Sequence, residues 1–430
     1  MWTFVSNKFN KMIKLILLLL SKKWIICFPF LFACGQPNTT QETEKGKQLA
    51  RTLKEAERAK TVLDSGITLG NQRLAEYLPL LKGKQVGFVG NHTALIGESH
   101  LVDSLLNLGV DIVKVFSPEH GFRGIADAGE KIKDGIDPAT KLPVFSLYGD
   151  QKKPTVKQMK DLDVLVFDLQ DVGARFYTYI STLHYVMEAT AENEIPLIVL
   201  DRPNPNAHYV DGPVLEENFQ SFVGMHPVPI VHGMTIGEYA GMINGENWLK
   251  GGLKCKLHVV PCLSYNHQKP YNLELSPSPN LPNMRSIYLY PSLCLFEGTS
   301  ISVGRGTAKP FQQIGAPWLE HFDHSFIPRS EPGAKTPKYE NQNCKGVDFS
   351  NQDAEYYRKH AKLNLKPLLE LYHQSPEPNQ FFNSFFNLLA GNGSLQNDIK
   401  AGKSETEIRA SWQKELKQFK MMREKYLLYP

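Results

Sequence analysis

The chain contains no Gly-x-Gly-x-x-Gly, no Gly-x-x-x-x-Gly-Lys-Ser/Thr, no Gly-x-Ser-x-Gly and no His-Glu-x-x-His. Each absence removes a class of chemistry. Without the first there is no pyrophosphate turn of a dinucleotide enzyme, and without the second no phosphate cradle of an NTPase. Lack of the third excludes the nucleophile elbow of a serine hydrolase, and lack of the fourth a zincin metal site. Cysteine is scarce, six in 430 residues, and Cys255, Cys262, Cys294 and Cys344 have no metal-ligand spacing. Their pairing is open between buried thiols and a disulfide. Charge of one sign is also missing: the net +4 is a weak excess with no basic stripe interleaved by aromatics, so no nucleic-acid partner is expected. The pattern predicts no metal and no cofactor.

What is present is ordinary for a folded soluble protein, 42% hydrophobic and 21% charged. Residues 1–34 read as a separate signal. Lys11 and Lys14 precede the apolar run Leu15–Leu20, and Lys22 and Lys23 precede a second run, Trp24–Ala33. This layout is that of a secretory signal. It ends in Leu31-Phe32-Ala33-Cys34-Gly35, which is similar to a bacterial lipobox with Cys34 as the residue lipidated, although Phe32 is bulkier than is usual there. The competing reading is an uncleaved membrane anchor, because the two runs together approach spanning length. Both readings export the body of the protein, to the periplasmic face of a bacterial membrane if Cys34 carries lipid. Residues 35–65 are polar and suit a tether.

From Gln72 to about Asn206 strand-like and helix-like segments alternate. Gln85–Gly90, Asp111–Phe116, Leu142–Tyr148, Asp163–Phe167 and Pro196–Leu200 are apolar runs, and Ser99–Leu108 and Thr178–Asn193 carry helical spacing. Such alternation predicts an α/β fold: a Rossmann-like, mostly parallel sheet covered on both faces, without a dinucleotide site. Thr235 and Glu238 have capping-box spacing, and Ser276–Asn283 is too proline-rich for regular structure. From about Gly304 the text predicts a smaller α+β C-terminal domain closing with a long helix over Ser404–Lys425. The expected division is therefore 66–303 for the Rossmann-like domain and 304–430 for the auxiliary one.

The candidate chemistry sits where predicted strands end, since open α/β sheets bind ligands outside their carboxyl edge. Ser117-Pro118-Glu119-His120-Gly121 follows one strand directly. A carboxyl group in a partly dry pocket can act as general acid or base, so Glu119 is the leading candidate and His120 its neighbour. Both have a purely structural alternative, as hydrogen-bonded groups of a tight loop. Asp168, Gln170, Asp171, Arg175, Tyr177 and Tyr179 crowd a second strand-to-helix junction. There Arg175 can hold a carboxylate in a bidentate fork, or merely brace the helix against Asp171. Asn91, Arg202, His232, Asn280 and Arg305 complete the polar set.

These segments resemble a known family. Ser117–Gly124, Asp168–Tyr179, Leu200–Pro205, Asp211–Pro213, Pro277–Pro282, Glu297–Thr299, Val303–Thr307 and Lys425–Pro430 are similar to the NamZ-type exo-β-N-acetylmuramidases, over nearly everything from about Gly66 onward. The resemblance implies a glycoside hydrolase that removes β-1,4-linked N-acetylmuramic acid from the non-reducing end of peptidoglycan fragments. It implies a Rossmann-like domain and a smaller C-terminal domain, with the site in the cleft between them. By the same resemblance Glu119 is the catalytic carboxylate, with His120, Asp168 and Tyr177 as further catalytic candidates. Arg175 and Tyr179 are the implied neighbours of Glu119, Arg202, His232, Asn280 and Arg305 the implied substrate contacts, and a muropeptide or disaccharide the implied partner. Asn91, Gln170 and Asp171 are expected to bind substrate from their place at the strand ends.

Residue chemistry fits this in one respect. N-acetylmuramic acid carries a lactyl carboxylate, for which an arginine fork is the natural partner, and Arg175, Arg202 and Arg305 are available. Glycoside hydrolysis needs a second group besides Glu119. Asp168, Asp171, a tyrosine and the substrate's own acetamido group all remain open for it. A rival from another class is a non-catalytic, surface-anchored murein-sugar-binding lipoprotein, which would keep the arginines and aromatics but need no reactive carboxylate.

Overall fold

The computed structural model describes residues 66–119, 121–123 and 134–430. Its centre is a seven-stranded sheet. In chain order the strands are β1 (Gln85–Gly90), β2 (Asp111–Ser117), β3 (Gly135–Ile136), β4 (Pro143–Ser146), β5 (Val164–Asp168), β6 (Leu197–Leu200) and β7 (Leu257–Val260). They lie in the order β7-β6-β5-β1-β2-β4-β3, all parallel except β3, which runs antiparallel to β4. Counting parallel strands alone, the spatial order is third, second, first, fourth, fifth, sixth, the order of a doubly wound nucleotide-binding sheet. The predicted mostly parallel, Rossmann-like sheet is therefore present.

Alternation along β5 shows why both faces are covered. Val164 and Val166 face one apolar cluster, with Phe88, Leu101 and Leu105, while Leu165 and Phe167 face the other, with Ile180, Leu183 and Ile243. Every residue of β5 is buried, which is why it reads as an unbroken apolar run rather than an alternating one. Helices α1 (Leu74–Leu81) and α2 (Leu101–Asn107) serve the first face, and α3 (Tyr179–Glu192) and α4 (Ile236–Gly245) the second. The Thr235–Glu238 capping box starts α4: Glu238 N donates to Thr235 Oγ1 and Thr235 N to the Glu238 carboxylate. Two orphan amide groups at a helix start are thereby satisfied.

The proline-rich loop over Ser276–Asn283 leads into α5 (Met284–Leu293), with Asn283 as its N-cap. Beyond it stand a three-stranded antiparallel sheet, Gln313–Ala316, His324–Phe326 and Cys344–Asp348, and a run of short helices including α6 (Phe385–Ala390). This is the smaller α+β part. Its Phe386, Ile408 and Phe419 belong to the same apolar cluster as Leu165 and Phe167, so one core continues from the large sheet into the C-terminal region.

One expectation needs correcting, one strand is added, and the open question of the cysteines is answered. The long helix over Ser404–Lys425 is broken into Glu405–Ser411, Gln413–Arg423 and a final 3-10 turn. Trp412 makes the break: its side chain is buried, and its backbone, at φ −105° and ψ 4°, leaves helical geometry. Strand β7 went unpredicted because it is the short sheet edge, with His258 exposed between Leu257 and Val259. Finally, Cys255, Cys262, Cys294 and Cys344 are all buried free thiols.

Candidate active site

The site grows from the loop after β2. Asn91, directly after β1, is buried; its Oδ1 accepts from Thr93 N and Oγ1, and its Nδ2 donates to the Tyr179 hydroxyl at 2.7 Å. Tyr179, at the start of α3, lies 3.5 Å from the Glu119 carbonyl oxygen and 3.4 Å from that of Pro277. Tyr177 donates to the same Pro277 oxygen at 2.8 Å. Asn91, Tyr177 and Tyr179 thus tie the Glu119 loop to the proline-rich loop. All three act through other atoms here, as scaffold.

The half-buried Glu119 side chain is held by hydroxyls. Thr178 Oγ1 donates to its Oε2 at 2.9 Å, and the Tyr148 hydroxyl is hydrogen-bonded to the same carboxylate. Burial first, and then the negative charge of Glu119, hold the Tyr148 hydroxyl above its usual pKa. Tyr148 therefore stays protonated and serves as a neutral donor beside the carboxylate.

Glu119, Tyr148 and Thr178 border a cavity of about 330 Å³. Glu297, Arg305, Tyr290 and the segment Gly333–Pro337 also border it. Arg305 Nε donates to Glu297 Oε1 at 2.6 Å and Nη2 to Oε2 at 3.1 Å, a bidentate fork. Its guanidinium carbon lies 4.9 Å from the centre of the Phe311 ring. Burial opposes the charge on Arg305, but the Glu297 carboxylate more than offsets it and holds the pKa above the usual value. Local backbone explains the placement. Gly304 and Gly306 both have positive φ, 75° and 74°, and a Cβ at Gly306 would collide with the Arg329 carbonyl. Only glycine suits both positions flanking Arg305.

Several expected members of the site lie elsewhere. Asp168, at the end of β5, forms a buried fork with Arg202, at 2.5 Å from Nε and 3.0 Å from Nη2, and accepts from Asn71 Nδ2 at 3.1 Å. Asp168 and Arg202 thus join the carboxyl ends of the neighbouring strands β5 and β6. Gln170 and Arg202 border a separate void of about 20 Å³, the size of a single water. Gln170 Nε2 donates to the Asp171 and Pro203 carbonyls. Asp171 accepts from Gly173 N at 2.7 Å and lies 3.5 Å from His232 Nε2; both side chains are buried.

Arg175 departs furthest from expectation. Fully buried, it donates from Nη1 to the Pro213 and Val228 carbonyls and from Nη2 to those of Leu389 and Ala390, at 2.7–2.9 Å. The last two are free carbonyls at the end of α6, where a cation is favoured. Arg175 therefore joins the large sheet to the C-terminal helices and does not border the cavity. Asn280 is near but indirect: its Nδ2 donates to the Gly333 carbonyl at 2.7 Å, behind a residue that borders the cavity. His120 and Cys34 lie outside the described residues. Among the described residues no group of three His, Cys, Asp or Glu side chains is arranged to hold a metal.

Of the predicted set, Glu119 and Arg305 border this cavity together. Sequence reasoning overlooked Tyr148, Thr178 and Glu297 as functional. Two of these had a signal: Tyr148 ends a predicted strand, and Glu297 precedes Arg305 by eight residues in a glycine-flanked motif.

Comparison with known proteins bears on most of the chain. The family model described as exo-β-N-acetylmuramidase NamZ, N-terminal, matches residues 86–285, and its C-terminal counterpart matches 288–429. Peptidoglycan β-N-acetylmuramidase NamZ of Bacillus subtilis is 40% identical over 375 residues, 83% of this chain and 89% of that protein. Two crystal structures of DUF1343 family proteins from Bacteroides fragilis are similar. One is 46% identical with a TM-score of 0.79, covering 85% of this chain and 99% of its own. The other is 30% identical with a TM-score of 0.71, covering 85% and 100%.

Proposed function

Because the chain belongs to the exo-β-N-acetylmuramidase NamZ family, we propose that it is a glycosidase acting on peptidoglycan fragments. It releases terminal β-1,4-linked N-acetylmuramic acid, with Glu119 as the catalytic carboxylate. The observation that carries this reading is the sorting of the three candidate arginines. Arg175 and Arg202 are buried against carbonyls and against Asp168, whereas Arg305 borders the cavity that Glu119 borders. Its Nε and Nη2 engage Glu297, and among the described residues Nη1 makes no hydrogen bond. A lactyl carboxylate needs such a donor, and N-acetylglucosamine does not.

Glu119 supplies one of the two roles that hydrolysis requires. Asp168 and Asp171 do not border the cavity, and both Glu297 oxygens accept from Arg305. That distribution favours the substrate's acetamido group or a tyrosine for the second role, and Tyr148 is the tyrosine bonded to Glu119. The purified protein should release a chromogenic aglycone from a β-N-acetylmuraminide and not from the matching β-N-acetylglucosaminide. Arg305→Lys, which keeps the charge but loses the fork, should narrow that preference by about 10- to 100-fold. Equal wild-type rates on the two sugars would remove lactyl recognition.

Export and lipidation at Cys34 belong to the same reading, since a lipid-anchored enzyme on the periplasmic face would meet murein fragments there. Globomycin should then block processing and shift the precursor band; an unshifted band favours the uncleaved anchor.

A further inference from the structure

Helix α5 is the shared wall of two cavities. Tyr290, with Cys294 just beyond the helix, borders the Glu119 cavity. Tyr288, Leu289, Ser292 and Leu293 border another, of about 370 Å³. Residues 288 and 292 stack on one side of a helix, while 290 and 294 lie about 200° round it.

The second cavity has a different character from the first. Its walls include Tyr209, Tyr288, Phe349, Tyr356, Tyr357 and His360. The Tyr356 and His360 rings pack with centroids 4.2 Å apart, and Tyr357 meets Tyr356 edge-on at 5.3 Å. Among the described residues Lys362 is the one lysine or arginine on its border, and no aspartate or glutamate borders it. That ammonium lies 3.6 Å from the Glu405 carboxylate.

Neutral hydrogen-bonding capacity is available beside these rings. Among the described residues the Tyr209 and Tyr288 hydroxyls make no hydrogen bond. The exposed Gln352 side-chain amide also borders the cavity and makes no hydrogen bond among the described residues, whereas the Asn206 amide is closed to solvent with its hydrogens on the Val172 and Ile287 carbonyls. Aromatic faces combined with neutral polar groups suit the two sides of a pyranose: its C–H face packs on rings while its hydroxyl and acetamido groups take hydrogen bonds. Among the described residues no arginine borders this cavity to fork a lactyl carboxylate.

We propose that this cavity is a second, non-catalytic saccharide site that takes a neutral N-acetylhexosamine residue of a glycan. The inference rests on the reading of this protein as one that acts on peptidoglycan sugars, and adds a place that holds the sugar lacking the lactyl group.

Triacetylchitotriose, which carries no lactyl group, is the probe. Saturation-transfer NMR and calorimetric titration of the full-length wild-type protein should give saturable binding. Tyr356→Ala should weaken it by roughly tenfold. Tyr356 is 41% exposed, so its removal leaves the core in place. His360→Ala, which removes the ring packed on Tyr356, should act in the same direction. Absence of saturable binding overturns the proposal. So does binding unchanged in both variants, or binding displaced by free N-acetylmuramic acid, which would locate the trisaccharide in the Glu119 cavity. Chitotriose binding that persists while the wild-type protein fails to cleave β-N-acetylmuraminides would sink the muramidase reading and leave this site standing.

Discussion

Two arginine–carboxylate forks of nearly equal geometry have opposite surroundings. Arg202 and Asp168 meet at 2.5 and 3.0 Å, with side chains 5% and 0% exposed. Arg305 and Glu297 meet at 2.6 and 3.1 Å, with side chains 25% and 23% exposed. The first joins the ends of the neighbouring strands β5 and β6 and accepts from Asn71. The second borders the cavity that Glu119 borders; among the described residues Nη1 makes no hydrogen bond in either fork. Bond geometry alone therefore does not separate a brace from a binding group. What separates them is the space beside the fork, about 20 Å³ at Arg202 and about 330 Å³ at Arg305.

This contrast can be broken by mutation. The largest effect is expected at Arg175, which has no carboxylate partner and instead satisfies four buried carbonyls. Arg175→Leu removes all four bonds; the Val228 carbonyl keeps Leu215 N, and each carbonyl left without a donor costs about 1–3 kcal/mol. The variant should fail to accumulate as folded protein, measured by soluble yield and circular dichroism. Next is Arg202→Leu, which leaves Asp168 buried without its cation. Removing one partner of such a pair costs about 3–5 kcal/mol, to be read from denaturant midpoints. Arg305→Leu, at the three-quarters-buried fork, should cost less than Arg202→Leu in the same assay. Equal losses at Arg202 and Arg305 would erase the distinction.

A smaller, pH-dependent effect sharpens it. Burial, foremost, raises the Asp201 pKa to about 6, although the carboxylate accepts from Arg202 N, Gly237 N, Thr235 Oγ1 and the Tyr429 hydroxyl. The folded protein thus holds a proton here that the unfolded chain releases near 3.8. Its contribution is fully present below that value and is lost as pH rises through about 6, by at most about 3 kcal/mol. Wild-type stability should therefore fall relative to Asp201→Asn between pH 4 and pH 7. A flat difference across that window would place the proton elsewhere.

Much of the frame was legible in the chain because burial on both faces leaves a direct mark. The runs ending at Gly90, Ser117, Asp168 and Leu200 are apolar on both sides of the pleat, and each ends in polar residues at the carboxyl edge. Edge strand β7 and the break at Trp412 left weaker marks, since one is short and half-exposed and the other depends on tertiary packing. The roles of the strand-end charges were not legible, because their partners are remote. Arg175 is sorted by carbonyls more than 200 residues away, Asp201 by Tyr429 near the C-terminus, and Asp168 by Arg202 on the next strand end. Glu297 escaped notice for the same reason: its significance lies in facing the cavity that Glu119 faces.

The most direct test of the account is Glu119→Gln, which keeps the shape of the side chain and removes the ionisable group. Turnover of a β-N-acetylmuraminide should fall by about a thousandfold or more. The thermal midpoint should stay near that of wild type, and the sugar should still bind. Unchanged turnover in a folded Glu119→Gln protein would contradict the assignment of Glu119 as the catalytic carboxylate.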